Sequence, residues 1–287
     1  MGKNLIGVLH PGEMGSAVGA CLTRRGLTVL WASAGRSPAT ADRAAAAGLR
    51  DVGTASEMSS QADVILSVCP PHAALEVARS VAGFRGIYVD ANAVSPATTR
   101  KVAEIVTAGG ASYVDGGIIG PPPEATGRTR LYLSGERAAE VRAMFAQSAL
   151  DARIAEGPPF AASAVKMAYA AWTKGTSALL LTCRALARAE GVERTLLGEW
   201  ALSQPALRAR SERSAAAAAA KGWRWVAEME EIAASMAAAG LPAGFHEAAA
   251  EIFDRAARAA AAAARGPSAT GSRDADSALD TVMSALV

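Results

Sequence analysis

The stretch Leu5-Ile6-Gly7-Val8-Leu9-His10-Pro11-Gly12-Glu13-Met14-Gly15 decides the fold. Its opening is an apolar run bounded by proline and glycine, which reads as a buried strand ending in a tight turn. Residues 13–25 follow as a helix stopped by Gly26. Strand, glycine turn and helix stand here in the order of a dinucleotide-binding fingerprint. Gly12 lets the backbone approach a pyrophosphate, Gly15 permits close helix–strand packing, and the helix N-terminus offers N–H groups and a positive dipole end. The loop expected to hold the cofactor is His10, Pro11, Gly12, Glu13 and Met14, with His10 in the place of the pattern's first glycine. The plainer alternative is a tight turn in another α/β fold.

The alternation continues outward from that stretch. Strands are expected at 4–9, 28–32, 64–68, 87–91, 112–116 and 130–134, with helices at 39–47, 72–82 and 96–108 between them. This is an α/β Rossmann domain over residues 1–156 with a parallel sheet. From Pro159 onward no strand is evident and Ala, Leu, Glu and Arg dominate, so residues 157–287 form an all-α domain. Its first helix runs from Pro159 to about Glu190, on the order of 45 Å, and joins domains or subunits. Residues 266–276 read as a loop before a last helix at 277–286.

With 51% hydrophobic and 20% charged residues among 287, the chain has apolar surface enough for one large core or two. A net charge of +2 from scattered basic residues gives no footprint for nucleic acid or an anionic membrane. No apolar run approaches the roughly 20 residues of a membrane span. The first nine residues lack a signal-peptide pattern, so a cytoplasmic protein is expected. Cys21, Cys69 and Cys183 fit neither a disulfide framework nor a metal site and read as small buried hydrophobes.

In sites specific for NAD an acidic residue about 20 positions on binds the ribose 2′-hydroxyl. Here the corresponding segment, Trp31-Ala32-Ser33-Ala34-Gly35-Arg36-Ser37, has no carboxylate. Arg36, with Ser33 and Ser37, suits a 2′-phosphate instead, so the expected cofactor is NADP(H). The competing reading makes Arg36 a solvated loop residue. Val68-Cys69-Pro70-Pro71 follows a buried strand and forms a wall beside the cofactor, with Cys69 as packing rather than thiolate.

Asn92 and Ser95 stand between a strand and a helix begun by Pro96, placed to orient a substrate or cofactor, although Ser95 is also a good helix cap. Gly116, Gly117 and Gly120 make a loop whose backbone can approach a substrate, with Ile118 beside it; otherwise it is a turn before three prolines. Lys166, Tyr169, Ala170, Thr173 and Ser177 share one helix face, placing a cation, a phenol and hydroxyls among small residues. Such a lysine needs a ligand or partner to explain it.

Four segments resemble the β-hydroxyacid and 6-phosphogluconate dehydrogenase superfamily, which includes imine reductases. They are His10-Pro-Gly-Glu-Met-Gly15, Asp90-Ala-Asn-Ala-Val-Ser-Pro96, Asp115-Gly-Gly-Ile-Ile-Gly120, and Lys166 at the position of the family's catalytic lysine. The resemblance implies an NADP(H)-dependent oxidoreductase, with Lys166 giving or taking the proton at the substrate oxygen and Tyr169 beside it. It also implies a small substrate in the cleft between two domains and a two-fold homodimer. The family's two glycines before the lysine are Phe160 and Ala162 here, and its asparagine is Ala170, so substrate preference does not carry over. Glu228 and Glu231 read as a solvated helix face or as groups facing a cationic substrate. Trp223-Arg224-Trp225 reads as core or dimer surface, and His246 is not expected to be catalytic. Three functions compete: hydride transfer to a carbonyl near a carboxylate or its reverse, imine reduction, and non-catalytic NADP(H) binding.

Overall fold

A computed structural model describes residues 5–265 and 275–287. Position 4 of the first expected strand and most of the 266–276 loop lie outside those residues. Two compact units divide at Tyr169 and Ala170, inside one helix, rather than at 156 and 157.

The first unit follows the alternation read above, with elements β1 (Leu5–Leu9), α1 (Glu13–Thr23), β2 (Thr28–Trp31), α2 (Pro38–Ala46), β3 (Arg50–Asp51), α3 (Ala55–Gln61) and β4 (Val64–Ser67). After a short 3-10 turn come α4 (Ala74–Ser80), β5 (Ile87–Asp90), α5 (Pro96–Ala108), β6 (Ser112–Ile119), β7 (Thr129–Ser134), α6 (Ala138–Met144) and β8 (Leu150–Ile154). The strand order β3-β2-β1-β4-β5-β6-β7-β8 reverses direction between β1 and β4. It is a Rossmann-type α/β domain, and ligands of such sheets bind at the carboxyl edge of that reversal.

The sheet is parallel from β3 through β6, as expected, and mixed beyond it, because β7 runs antiparallel to β6. Gly116 and Gly117 belong to β6, paired with Leu133 and Tyr132, and are not loop residues. Only Gly120, at φ +127°, leaves the strand in a conformation that favours glycine. Apolar layers cover both faces of the sheet, one including Ile6, Val8, Leu66 and Val89 and the other Ile65, Tyr88, Val94 and Val102.

The long helix α7 is Ala161–Ala189, not 159–190, because Phe160 takes φ +67° and cannot lie in a helix. Its later turns belong to the second unit with α8 (Glu193–Ser203), α9 (Leu207–Ala238), α10 (Gly244–Arg265) and α11 (Ala275–Leu286). Gly222 lets α9 approach α10, since a Cβ there would lie 2.8 Å from the Phe253 carbonyl oxygen. Trp225 packs edge-on against Phe253 at 5.0 Å between centroids, whereas Trp223 stays exposed with the Arg224 guanidinium over its ring. Glu228 is buried and paired with Lys174, which corrects its reading as a solvated residue. Among the described residues no helix is long and apolar enough to cross a membrane.

Candidate active site

Parallel register aligns Leu9, Ser67, Asp90 and Asp115 as one row across four adjacent strands. That row marks the carboxyl edge of the parallel sheet, and the expected cofactor loop begins one residue beyond it.

His10 turns the chain with φ +65°, and its carbonyl oxygen accepts from the Gly12 N–H at 2.7 Å. A Cβ on Gly15 would lie 2.4 Å from that same oxygen, which is why glycine stands there. Gly12 is the N-cap of α1 with open space where its Cβ would be and no side-chain cap. A helix start with uncapped N–H groups and a bare approach fits a pyrophosphate. Burial, then the Arg36 charge, pushes the His10 pKa down to about 4, so its imidazole is neutral. Arg36 lies near enough to Cys69 to act on its thiol, yet burial and Asp90 push that thiol up to about 12. Cys69 is therefore not a thiolate at neutral pH. Cys21 is buried, while Cys69 and Cys183 are half-buried.

Beyond β2, Ser37 precedes Pro38 as the N-cap of α2, again with no side-chain cap on the helix. Sequence reading missed a carboxylate here. Asp51, opposite Trp31 in β3, accepts from the Ser33 N–H at 3.2 Å and the Gly53 N–H at 2.8 Å. These bonds hold its pKa below the usual carboxylate range. The only sequence signal was its place one strand over, which composition around position 32 does not report.

Asn92 lies buried with its amide held inside the protein. Its Nδ2 donates to Asp90 Oδ1 at 2.6 Å and Ser67 Oγ at 3.0 Å, and its Oδ1 accepts from the Cys69 N–H at 2.6 Å. It ties β4 to β5 and shapes the wall formed by Cys69 and Pro70. Ser95 caps α5 by accepting from the Thr98 N–H at 3.2 Å. Asp90 also accepts from the Tyr113 hydroxyl, and burial pushes its pKa up to about 7.

Asp115 is the second carboxylate that sequence reading passed over as a candidate, although it opens a quoted motif. Its oxygens accept from the Ser134 hydroxyl at 2.8 Å, the Ser163 N–H at 2.9 Å and the Ser163 hydroxyl at 2.5 Å. The Ser163 hydroxyl also meets Thr99 at 2.9 Å. All four residues are buried. Two positions along β6, a Cβ on Gly117 would come within 2.9 Å of the Lys166 Cβ. The structure thus brings Gly117 and Lys166 together at the carboxyl edge. Lys166 is half-buried, Tyr169 is 46% exposed, and Ile118 is buried. Thr173 falls in the second unit, its hydroxyl directed to the Ala170 carbonyl. So does His246, whose pKa burial lowers.

Together the strand order, the uncapped helix start and the loop at the sheet edge define an NAD-binding domain. Residues 5–153, more than half of the chain, match the family described as the NAD binding domain of 6-phosphogluconate dehydrogenase, and the chain belongs to that family. Residues 187–256 match a domain of unknown function, DUF1932. A 28.5 kDa protein of Methanothermus fervidus is 27% identical over 164 residues, 57% of this chain; the match spans 63% of that relative, less than two thirds. One solved conserved protein, described as structurally similar to 3-hydroxyacid dehydrogenases, is 27% identical with TM-score 0.66, over 89% of this chain and 98% of that one. The 3-hydroxyisobutyrate dehydrogenase of Mycobacterium tuberculosis, solved with L-serine, shares the fold at 18% identity and TM-score 0.69, covering 97% and 99% of the two chains. A reductive aminase of Aspergillus terreus, solved with NADPH and ethyl levulinate, shares it at 21% and TM-score 0.57, covering 97% and 99%.

Proposed function

We propose that this protein is an NADP(H)-dependent oxidoreductase acting on a small carbonyl or hydroxy-acid substrate. The observation that carries the reading is the placement of Lys166 beside Gly117, at the sheet edge where the nucleotide loop also lies. When bound, the nicotinamide supplies or takes up hydride. Residues 10–14 would hold the pyrophosphate through the N-terminus of α1. Arg36 and the hydroxyls of Ser33 and Ser37 would hold the 2′-phosphate, with the uncapped start of α2 adding N–H donors. Asn92 fixes the Cys69 and Pro70 wall against which the cofactor would rest.

Lys166 donates a proton to the substrate oxygen in reduction and accepts one in oxidation, which is general acid–base work within a lysine's reach. Gly117 bounds the substrate position from the protein side, with Ser95 at the start of α5; Ile118, expected beside it, instead packs into the core on the opposite face of β6. The exposed Tyr169 phenol, one turn from Lys166, favours a second reading in which the same site reduces an imine. Likeness to a reductive aminase fold is compatible with both. The chain is proposed to act as a homodimer, supported by exposed Trp172, Leu179 and Leu186 spaced by sevens along α7.

The test is an NADPH-consumption screen over keto acids, semialdehydes and cyclic imines, run beside Lys166→Met. Loss of one general acid–base group lowers turnover by about 10² to 10⁴ while NADPH affinity stays within about twofold. A methionine variant with parental turnover on every active substrate refutes the role of Lys166.

A further inference from the structure

The start of α7 has no cap of its own. Phe160, the residue before it, has an apolar side chain and a left-handed backbone. Helices leave their first amides without internal partners, and buried N–H groups need bonds from elsewhere. Here the Ala161 N–H donates to the Pro158 carbonyl at 3.1 Å and the Ala162 N–H to Ser134 Oγ at 3.3 Å. The Ser163 N–H donates to Asp115 Oδ2 at 2.9 Å. Thus a carboxylate from strand β6 does the work of the missing N-cap, at the end of the helix whose dipole favours an anion.

The rest of β6 repeats the arrangement. Tyr113, Asp115 and Gly117 alternate onto one face of the strand. The Tyr113 ring meets Phe160 edge-on at 6.1 Å between centroids, Asp115 binds Ser163, and Gly117 faces the Ala162 carbonyl and Lys166 Cβ. Three successive residues of one strand face therefore seat the first turns of α7. Lys166 stands three residues beyond the Asp115 anchor, on the same side of the helix as Ser163.

We propose that Asp115 is a positioning residue: through Ser163 it fixes the register of the first turns of α7 on β6 and so sets where the Lys166 amine lies. The inference rests on the reading of Lys166 as proton donor and acceptor. Asp115 itself is buried behind Ser163, which stands between it and Thr99.

The full-length protein is compared with Asp115→Ala, Asp115→Asn and Ser163→Ala by two measurements that need no substrate. The first is hydrogen exchange of amides 161–167. The second is acetic anhydride labelling of Lys166 across about pH 7 to 11, which reports the pKa and access of that amine. In Asp115→Ala, exchange of those amides rises at least roughly tenfold and the Lys166 titration shifts, while amides of α10 keep parental exchange. Asp115→Asn, which retains one acceptor oxygen, recovers part of both effects. Ser163→Ala keeps the amide-to-carboxylate bond, so its changes are smaller; it serves if Asp115→Ala does not fold. Turnover in Asp115→Ala falls about 10²-fold with KM changed less than about threefold, as a small misplacement of a catalytic group costs. Parental exchange of amides 161–167, or faster exchange with an unmoved Lys166 titration, overturns the proposal. If instead Lys166→Met keeps full turnover while Asp115→Ala still moves the labelling profile, the catalytic reading fails and the anchoring stands.

Discussion

Gly117 and Lys166 face each other across β6 and α7 with no room for another carbon: a Cβ on Gly117 would lie 2.9 Å from the Lys166 Cβ and 2.7 Å from the Ala162 carbonyl oxygen. The second contact is backbone and cannot swing aside. Gly117→Ala therefore lifts the first turns of α7 from the strand. Overpacking of this kind destabilises by roughly 1 to 3 kcal/mol, and turnover falls about 10²-fold with NADPH affinity unchanged. Thermal unfolding and steady-state kinetics check it; a parental Tm and kcat would mean the helix accommodates the methyl freely.

The proposed preference for NADP(H) rests on Arg36, beyond β2, and is opposed by the charge of Asp51 in β3. Arg36→Ala removes the charged donor for a 2′-phosphate, and a charge-assisted bond is worth enough to weaken NADPH binding roughly 10- to 100-fold while NADH changes little. Asp51→Asn acts in the other direction, raising NADPH affinity relative to NADH, because it keeps an acceptor for the Ser33 and Gly53 N–H groups but loses the negative charge. Fluorescence titrations of both nucleotides at one ionic strength read the two ratios. Tighter NADH than NADPH binding by the parent protein is incompatible with the assignment of Arg36.

The buried Asp90 and the half-buried His10 give the fold opposing pH dependences. Burial raises the Asp90 pKa from 3.8 to about 7, so between these values the native state holds a proton that the unfolded chain releases. Its effect is loss of stability as pH rises through that window. His10 is depressed from 6.5 to about 4, so the native state resists protonation and loses stability as pH falls from 6.5 towards 4. Asp90→Asn removes the first effect. The stability of the variant relative to the parent then climbs between about pH 4 and 7 by up to roughly 1.4 kcal/mol per unit. Urea unfolding at several pH values measures it, and a pH-independent difference would show that Asp90 is not held protonated.

Trp172, Leu179 and Leu186 are 65%, 48% and 62% exposed at heptad spacing on α7. Apolar exposure of that regularity is covered when a second chain packs on it. Leu186→Glu is expected to shift the sedimentation mass towards the monomer, with unchanged helix content by circular dichroism. A parental protein that sediments as a monomer at micromolar concentration removes the dimer reading.

The Rossmann architecture was legible because its signals are local. Short apolar runs located five of the eight strands to within about two residues, and Ser95 with Pro96 marked the start of α5 and Gly109 its end. Strand β6 extends three residues past its expected end, to Ile119. Sequence reading missed two strands and two helices: β3, which is two exposed residues, β8, Leu150–Ile154, whose alternation of Asp151 and Arg153 with apolar positions is only five residues long, α6, and α3, although Thr54 and Glu57 form a capping box at its start. Gly116 and Gly117 read as a loop because glycine disfavours strands, yet pairing with β7 and the close seat of α7 demand them there.

By itself the sequence determined the βαβ alternation, the nucleotide turn and the helical second half, since each depends on residues near one another in the chain. Tertiary structure alone decided what surrounds Lys166 and Ser33. Asp115 and Ser163 are 48 residues apart, and Asp51 reaches Ser33 across 18. Each contact forms between strands or between a strand and a helix, where sheet register and side-chain direction choose the partner, and neither quantity leaves a periodic trace in the sequence. The division of the chain inside α7 has the same cause: its first turns are bonded to β6, so they belong to the first unit even though they continue without a break into the second.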